Sequence, residues 1–323
     1  MISPVLRPPT GDDLRAIHSV LLRAEAADGV HRVMEFDELR EELDDERVPF
    51  RTHARVAELR DQIVGFVYAL HLPSDVKEER CYLFGGVDPV HRGQGVGRAL
   101  TSWAIETGRA VLAASQRDLP RHLRVQVPET ADATHRLMTA MGFAPVRYID
   151  DLVRPLDHLP TGIDVDVDVD GITIVAWPDD RDEDIRSEKN DAFMDHWGST
   201  PTSIDDWHQQ VRGFGARTDL SFVALDASDH VIGHALNHRY EADDQITGRS
   251  EGWIDSLSTL SQWRRHGVAS ALIVRSLQAF KDAGLTHAAL SVDSENPTGA
   301  SRLYRNLGFH PSARSVVYEI EQP

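Results

Sequence analysis

One short turn is written twice in this chain. "HRGQGVGRAL" (residues 91–100) and "QWRRHGVASAL" (residues 262–272) each carry an arginine, a glycine three positions on and a small residue two beyond that. These are Arg92, Gly95 and Gly97 in the first case, Arg264, Gly267 and Ala269 in the second. A second landmark follows each turn: Gly142-Phe143 stands 47 residues after the first motif glycine, and Gly308-Phe309 stands 41 after the second. Two landmarks in the same order point to a duplicated domain, and 323 residues leave room for two domains with cores of their own.

The hydrophobic pattern around the landmarks repeats as well. In the first half "PVLRPP" reads as a short strand and residues 11–27 as an amphipathic helix. "RVAEL" and "QIVGFVYALHL" read as strands about a turn, and "RCYLFGGVDP" as a strand running into the motif. A long helix from Gly95, a strand "HLRVQV" and a helix "DATHRLMTAM" follow. The second half gives the same series: "GITIVAWP", helices over "DEDIRSEKNDAFMDHW" and "SIDDWHQQVRG", then strands "SFVALD", "VIGHALNHRY" and "GWIDSLSTL". A helix over 267–283, the strand "HAALSVD" and the helix "GASRLYRNL" close it. The expected class is α/β (α+β), with domains at residues 1–158 and 172–323 joined by an acidic linker at 159–171. The linker's valine–aspartate alternation fits either a half-buried strand or a solvated connection.

A formal charge of −18, from 52 acidic against 34 basic side chains, leaves no general basic face for nucleic acid or an acidic membrane. No apolar run reaches membrane-spanning length and the N-terminus lacks the pattern of a signal peptide, so the sequence reads as cytoplasmic. The single cysteine, Cys81, excludes an internal disulfide and a cysteine-rich metal site. No metal is expected at His234, His238 and Tyr240 either, which share a strand face without the companions of a strong zinc site.

A glycine turn between a strand and a long helix leaves backbone N–H groups unpaired at the helix start, where their partial positive charge suits phosphate oxygens. In the second copy the donors belong to His266, Gly267, Val268, Ala269 and Ser270, with Arg264 and Arg265 adding charge. The corresponding stretch of the first copy is Arg92, Gly93, Gln94, Gly95, Val96, Gly97 and Arg98. Neither half has the Lys-Ser/Thr ending of a phosphate loop or the dinucleotide G-x-G-x-x-G unit with its later acidic residue.

The pattern R/Q-x-x-G-x-G/A after a strand, then strand, helix and Gly-Phe, resembles the GNAT superfamily of acetyl-CoA-dependent N-acyltransferases. The likeness covers both halves and is most specific over 251–310, where "SVDSENPTGASRLYRNLGF" matches the closing segment. It implies a mixed, mostly antiparallel sheet in each domain, flanked by helices and splayed to admit the pantetheine arm of acetyl-CoA (CoA). It also implies a CoA pyrophosphate at each Arg/Gly turn, and backbone contacts from the strand before it: Leu257 and Thr259 in the second copy, Val87 in the first. Asn296 is implied to touch the cofactor arm.

Acyl transfer from a thioester needs a neutral amine, a stabilised oxyanion and a proton for the departing thiolate. The resemblance assigns the last task to a Tyr four residues before Gly-Phe, which is Tyr304 here. The first copy has Met138 there, which holds no proton to give, and Thr130 in the place of Asn296. Nine and eleven residues before the motif arginine lie Asp255 and Trp253 in the second copy, but Leu83 and Cys81 in the first. Chemistry is therefore expected in the C-terminal copy, with Asp255 as base or anchor of a water relay, Glu251 in reserve and Tyr304 as acid. The N-terminal copy is expected to be a scaffold with residual cofactor binding.

The acceptor is expected to be a small-molecule primary amine, met by the loop "DHWGSTPTS" through His196, Trp197 and Ser199. The tandem plan also resembles the mycothiol synthases, which acetylate the cysteinyl amine of a thiol-sugar precursor. An acyl-CoA-binding sensor without catalysis, or an assembly module with purely structural glycine turns, are the alternatives from other classes.

Overall fold

The computed structural model describes residues 4–43, 49–161, 171–296 and 299–322, so most of the acidic linker lies outside the described residues. The chain forms two units, one from residues 1–148 and 314–323 and the other from residues 149–313. In chain order the elements are β1 (Val5–Arg7), α1 (Leu14–Asp28), α2 (Phe36–Leu43), α3 (Phe50–His53), β2 (Ala54–Leu59), β3 (Gln62–Leu72), β4 (Glu79–Val87), α4 (Val96–Ala114), β5 (Arg121–Pro128), α5 (Asp132–Ala140) and β6 (Ala144–Pro155). Then come β7 (Thr173–Ala176), α6 (Asp182–Ala192), α7 (Ile204–Arg212), β8 (Phe222–Leu225), β9 (Val231–Arg239), α8 (Asp243–Thr247), β10 (Glu251–Thr259), α9 (Val268–Asp282), β11 (His287–Asp293), α10 (Ala300–Asn306) and β12 (His310–Gln322).

Each unit carries the mixed, mostly antiparallel sheet expected from the sequence. In the first unit the strand order is β1-β2-β3-β4-β5-β12, and only β4 and β5 run parallel. In the second it is β7-β8-β9-β10-β11-β6, with β10 and β11 the parallel pair. Both parallel pairings are short. β4 meets β5 only over Glu79–Tyr82, and β10 meets β11 only over Glu251–Trp253, after which the strands part and leave the rest of β4 and β10 with an open edge. Unpaired N–H and C=O groups along such an edge are ready to bond an extended ligand.

The domain boundaries expected at 158 and 323 follow chain order, and the units do not. Residues Ile149–Pro155 of β6 pair with β11, and residues Ser315–Gln322 of β12 pair with β5. The last strand of the chain thus completes the first unit, whose core takes in Val316 and Tyr318. The strands after each Gly-Phe are not predicted by the repeat, which ends at that landmark. Their pairing is non-local and has no sequence signature of its own.

Helix α9 shows how the second unit is closed. Val268, Leu272, Ile273, Leu277 and Phe280 recur at helical spacing and are all buried. Phe280 lies directly over Gly252 of β10, where a Cβ would come within 2.5 Å of its ring, so a glycine is needed for the helix to seat. Each such side chain contributes roughly 1.5–3 kcal/mol of burial energy.

Candidate active site

The two Arg/Gly turns have the same backbone. Gly95 caps α4 at φ 89° and ψ −8°, and Gly267 caps α9 at φ 88° and ψ −8°. A side chain is strained at that φ, and neither glycine has an atom within 4 Å of where its Cβ would be. The valine that follows is buried in both copies and pins the helix start, while the turn itself stays exposed. The first helical bond of α9 runs from the Ala271 N–H to the Gly267 carbonyl, so the N–H groups of Val268, Ala269 and Ser270 have no helical partner. With the open edge of β10 leading into it, this cradle fits a pyrophosphate and an extended arm, as CoA requires. Leu257 and Thr259 lie on that edge, and Val87 ends the corresponding edge of β4.

The motif arginines are held by groups of their own units. Arg264 donates to Asp195 at 2.9 Å, to the Ala192 carbonyl at 2.9 Å and to the Thr259 carbonyl at 3.4 Å. Arg92 does the same in the first unit, donating to both Asp28 oxygens at 2.6 and 2.9 Å and to the Val87 carbonyl at 3.2 Å. Each guanidinium ties the end of a strand to the end of an early helix, and its charge is met by a carboxylate. The remaining cation is Arg265, exposed at φ 69°, which makes no ion pair among the described residues. His266 turns its Nδ1 to the Arg264 carbonyl at 3.0 Å. Gly93, at φ 74°, occupies the Arg265 place in the first unit, Gln94 bonds the Val90 carbonyl at 3.2 Å, and Gly97 and Arg98 lie in the first turn of α4.

The strands that enter the turns differ. β3 and β4 pair without a break from Gly65–Val87 to Leu72–Arg80. Between β9 and β10 the register shifts at Asp255, because Ile254 faces Asn237 and Ser256 faces Leu236. The bulge brings two successive side chains to one face of the sheet. Asp255, 42% exposed, lies with its carboxylate 3.8 Å from His238 Nδ1, and Ser256 bonds His234 on the same face of β9. The reserve base Glu251 is committed to an ion pair with Arg249 at 2.5 Å. Cys81, on β4, is buried and its thiol is pushed up to about 12 by that burial, so it is no base.

Tyr304 sits on α10 in the core of the second unit, 8% exposed and edge-on to Phe309 at 6.1 Å. Its hydroxyl makes no hydrogen bond among the described residues, and burial pushes the phenol up to about 12, so it holds its proton at neutral pH. Asn296 follows β11 at a turn whose N–H bonds the Asp293 carbonyl at 3.0 Å. Met138, the first unit's counterpart of Tyr304, is buried core.

Helix α6 ends at Ala192, so the predicted acceptor residues fall on the turn beyond it. His196, half-buried, lies tilted against Phe193 with ring centres 4.6 Å apart, and Trp197, next in sequence, is half-buried as well. One group on this side, Lys189, is not singled out by the sequence. Lys189 donates to Thr202 at 2.7 Å and to Gln210 at 2.9 Å, and burial brings its ammonium down to about 8 against the pull of Asp255 and Glu188. The cross-strand neighbours Trp253 and His238 each bury a ring nitrogen, Nε1 and Nδ1, that has no hydrogen bond among the described residues. Unmet buried polar groups beside a carboxylate suit a polar acceptor, since leaving them so costs about 1–3 kcal/mol each. The helix spacing of Lys189 gives no hint of its burial, which depends on α7 closing over it.

Comparison with known proteins agrees with this geometry. A family model described as the Acetyltransferase (GNAT) family matches residues 182–309, and another, the Acetyltransferase (GNAT) domain, matches residues 51–145. A mycothiol acetyltransferase of Parafrankia sp. (strain EAN1pec) is 29% identical over 95% of this chain and 94% of its own length. One from Frankia alni is 27% identical over 95% of this chain and 91% of its own. The GCN5-related N-acetyltransferase of Sphaerobacter thermophilus superposes with a TM-score of 0.76 at 25% identity, covering 99% of this chain and 96% of that one. A tandem GNAT protein from the clavulanic acid biosynthesis pathway shares the fold with a TM-score of 0.70 at 18% identity, over 99% of both chains.

Proposed function

The chain belongs to the GNAT family as an acyl-CoA-dependent N-acetyltransferase with two GNAT domains in tandem, and from that premise we propose that it moves an acetyl group from acetyl-CoA to the primary amine of a small polar molecule, with the chemistry confined to the second unit. Bound acetyl-CoA would supply the thioester carbonyl and the thiolate leaving group. The turn at Gly267 and the open edge of β10 hold the carrier. Asp255, thrust out by the bulge, takes the amine's proton or anchors the group that does. Tyr304 gives its phenolic proton to the thiolate, which its raised pKa keeps it ready to do. Trp253 and His238 orient the acceptor through their unmet ring nitrogens.

The observation that carries this reading is the asymmetry of the copies. The same cradle occurs twice, but among the described residues only the second unit has a phenol on the helix before Gly-Phe, where the first has Met138, and a carboxylate at a bulge of the entering strand, where β4 is unbroken. A narrower version, acetylation of the cysteinyl amine of a thiol-sugar, is favoured by the mycothiol acetyltransferases that resemble the chain along nearly their whole length. The sensor reading loses ground for the same reasons.

A direct test combines calorimetric titration of CoA with an acetyl-transfer screen over amino sugars, amino acids, peptides and a cysteinyl thiol-sugar. Transfer by the wild type, with Asp255→Asn reduced roughly tenfold to a thousandfold and CoA affinity kept, is the expected result. Failure of CoA to bind, or an undiminished Asp255→Asn enzyme, defeats the assignment.

A further inference from the structure

Beneath the acceptor side of β10 lies a polar chain with no part in the reaction as described so far. Glu188 of α6 is 3% exposed, His234 of β9 is 0% exposed and Ser256 of β10 is 7% exposed. His234 Nδ1 is 2.8 Å from Glu188 Oε2, and its Nε2 is 3.0 Å from Ser256 Oγ. Ser258 Oγ donates to Glu188 at 2.7 Å and lies 2.7 Å from His234 Nδ1. With the Nδ1–H given to the carboxylate, Nε2 is left as an acceptor and takes the Ser256 hydroxyl proton's hydrogen bond. Trp177 and Trp207 wall the imidazole edge-on at 6.0 and 5.8 Å. The charged groups beside it are Lys189, next to Glu188 on α6, and Asp255, next to Ser256, with the titratable His238 four residues along β9 from His234.

The first unit tells what packing alone demands at these places. Phe66 faces Gly86 and Tyr68 faces Phe84 across β3 and β4, where the second unit has His234 facing Ser258 and Leu236 facing Ser256. Phe66 therefore stands for His234, Phe84 for Ser256 and Gly86 for Ser258. Ala24 and Leu21 of α1 stand where Glu188 does, since a Cβ on Gly86 would come 3.1 Å from the Ala24 Cβ and 3.3 Å from the Leu21 Cδ2. All of these are apolar, and the fold forms. Burying a carboxylate and an imidazole costs stability that the apolar set does not, so packing gives no reason for the polar set.

We propose that Ser256, His234 and Glu188 carry away the acceptor amine's proton during acyl transfer, an inference that rests on the acetyltransferase reading of the second unit. The bound ammonium gives one proton to Ser256 Oγ as the Ser256 hydroxyl proton passes to His234 Nε2; the neutral nitrogen then attacks, and as the carbon–sulfur bond breaks the nitrogen's second proton leaves to solvent. Glu188 holds the imidazolium through its Nδ1–H. The departing thiolate takes a proton from Tyr304, so one proton enters the protein and one leaves it. Solvent resets both after release. Ser256 is the group that touches the amine, His234 and Glu188 position and drain it, and Asp255 holds the amine in place.

Three variants test this: Ser256→Ala, His234→Gln, and the pair Glu188→Leu with His234→Phe, which borrows the first unit's residues. Each is expected to lose roughly 10²–10⁴-fold in kcat/KM at pH 7. CoA affinity by calorimetry should stay within about twofold, and the apolar pair should melt no lower than the wild type, as the first unit's packing implies. In the variants, unlike the wild type, the rate should rise tenfold per pH unit until the amine itself deprotonates, and less basic amines should restore it. Folded, CoA-binding variants that keep the wild-type rate overturn the relay and leave the acetyltransferase reading standing. Loss of rate without the changed pH slope or amine dependence also overturns it, by making the network structural only. A wild type that acetylates no amine in the screen removes the reading beneath it as well.

Discussion

Gly95 and Gly267 cap their helices at the same dihedral angles, yet β4 runs into the first turn in unbroken register and β10 is bulged at Asp255 before the second. The likeness is in the backbone and the difference is in side chains. A diphosphate cradle made of peptide N–H groups needs only a tight turn and a buried valine behind it, so it tolerates change at almost every neighbouring position. Proton transfer needs particular groups at particular places. The first unit has Met138, Leu83, Phe66 and the pair Ala24 and Leu21 where the second has Tyr304, Asp255, His234 and Glu188. It has been packed where the other has been armed.

The largest expected effect tests which unit owns the end of the chain. Removing the residues after Ala313 takes Val316, Val317 and Tyr318, all buried, away from β5. At roughly 1.5–3 kcal/mol each, about 5 kcal/mol of stability goes from the first unit and little from the second. Hydrogen exchange is expected to show lost protection in β4 and β5 with β10 and β11 still protected. Loss confined to β10 and β11 would mean that the chain-order domains are the true ones.

Next in size is the phenol. Tyr304→Phe keeps the ring among Leu290, Val292 and Phe309 and removes only the proton donor. Acetyl transfer is expected to fall about 10²–10³-fold in kcat with KM for acetyl-CoA little changed. Met138→Tyr in the first unit should add no measurable turnover, because Leu83 and the unbulged β4 offer no base. If it does add turnover, the acid alone separates the copies.

Much of this contrast is legible in the sequence, and the rest has a physical reason for being hidden. Both turns, the long helices after them and the exchange of Tyr304 for Met138 follow from spacing along one chain. The bulge does not, because an extra residue in a strand looks like ordinary alternation until its partner is known; Glu251 is a plausible face-mate of Asp255 by count, yet pairs with Arg249. The ion pair of Arg264 with Asp195 is hidden too, since only the tertiary fold brings the two together. Glu188 lies 46 residues from His234 and 70 from Ser258, and no periodicity joins them. The closing strands carry no mark of which sheet they will join.

A third, smaller effect concerns Lys189, on an early helix whose first-unit counterpart α1 carries leucines at the same level. Burial lowers its pKa from 10.5 to about 8, so between those values the unfolded chain binds more protons than the folded one. Stability should therefore rise with pH across that window and stay flat below it. Lys189→Met removes the cost, so in urea denaturation it should exceed the wild type by on the order of 2 kcal/mol at pH 7.5, less than full conversion of the shift because the site is half open. The gap should close by pH 10.5. A gap that stays constant with pH would show that Lys189 binds its proton equally well in the folded and unfolded chain, as a solvated ammonium does.

The smallest effect probes the one position where the two turns differ in backbone cost. Arg265 holds φ 69° and Gly93 holds φ 74°, so a conformation that glycine adopts freely is imposed on an arginine in the second unit. That imposition costs roughly 1 kcal/mol, and on the proposed reading the arginine brings its charge toward a diphosphate. Arg265→Gly should leave stability within about 1 kcal/mol, since relief of strain is offset by a more flexible unfolded chain. CoA affinity should drop only about twofold to fivefold and lose part of its salt dependence, as befits one exposed charge. Gly93→Arg is the reciprocal experiment. If the first cradle still holds CoA, the added charge should tighten that second binding event and make it more sensitive to salt; if calorimetry shows one site in both proteins, the shared backbone of the first turn serves the fold alone.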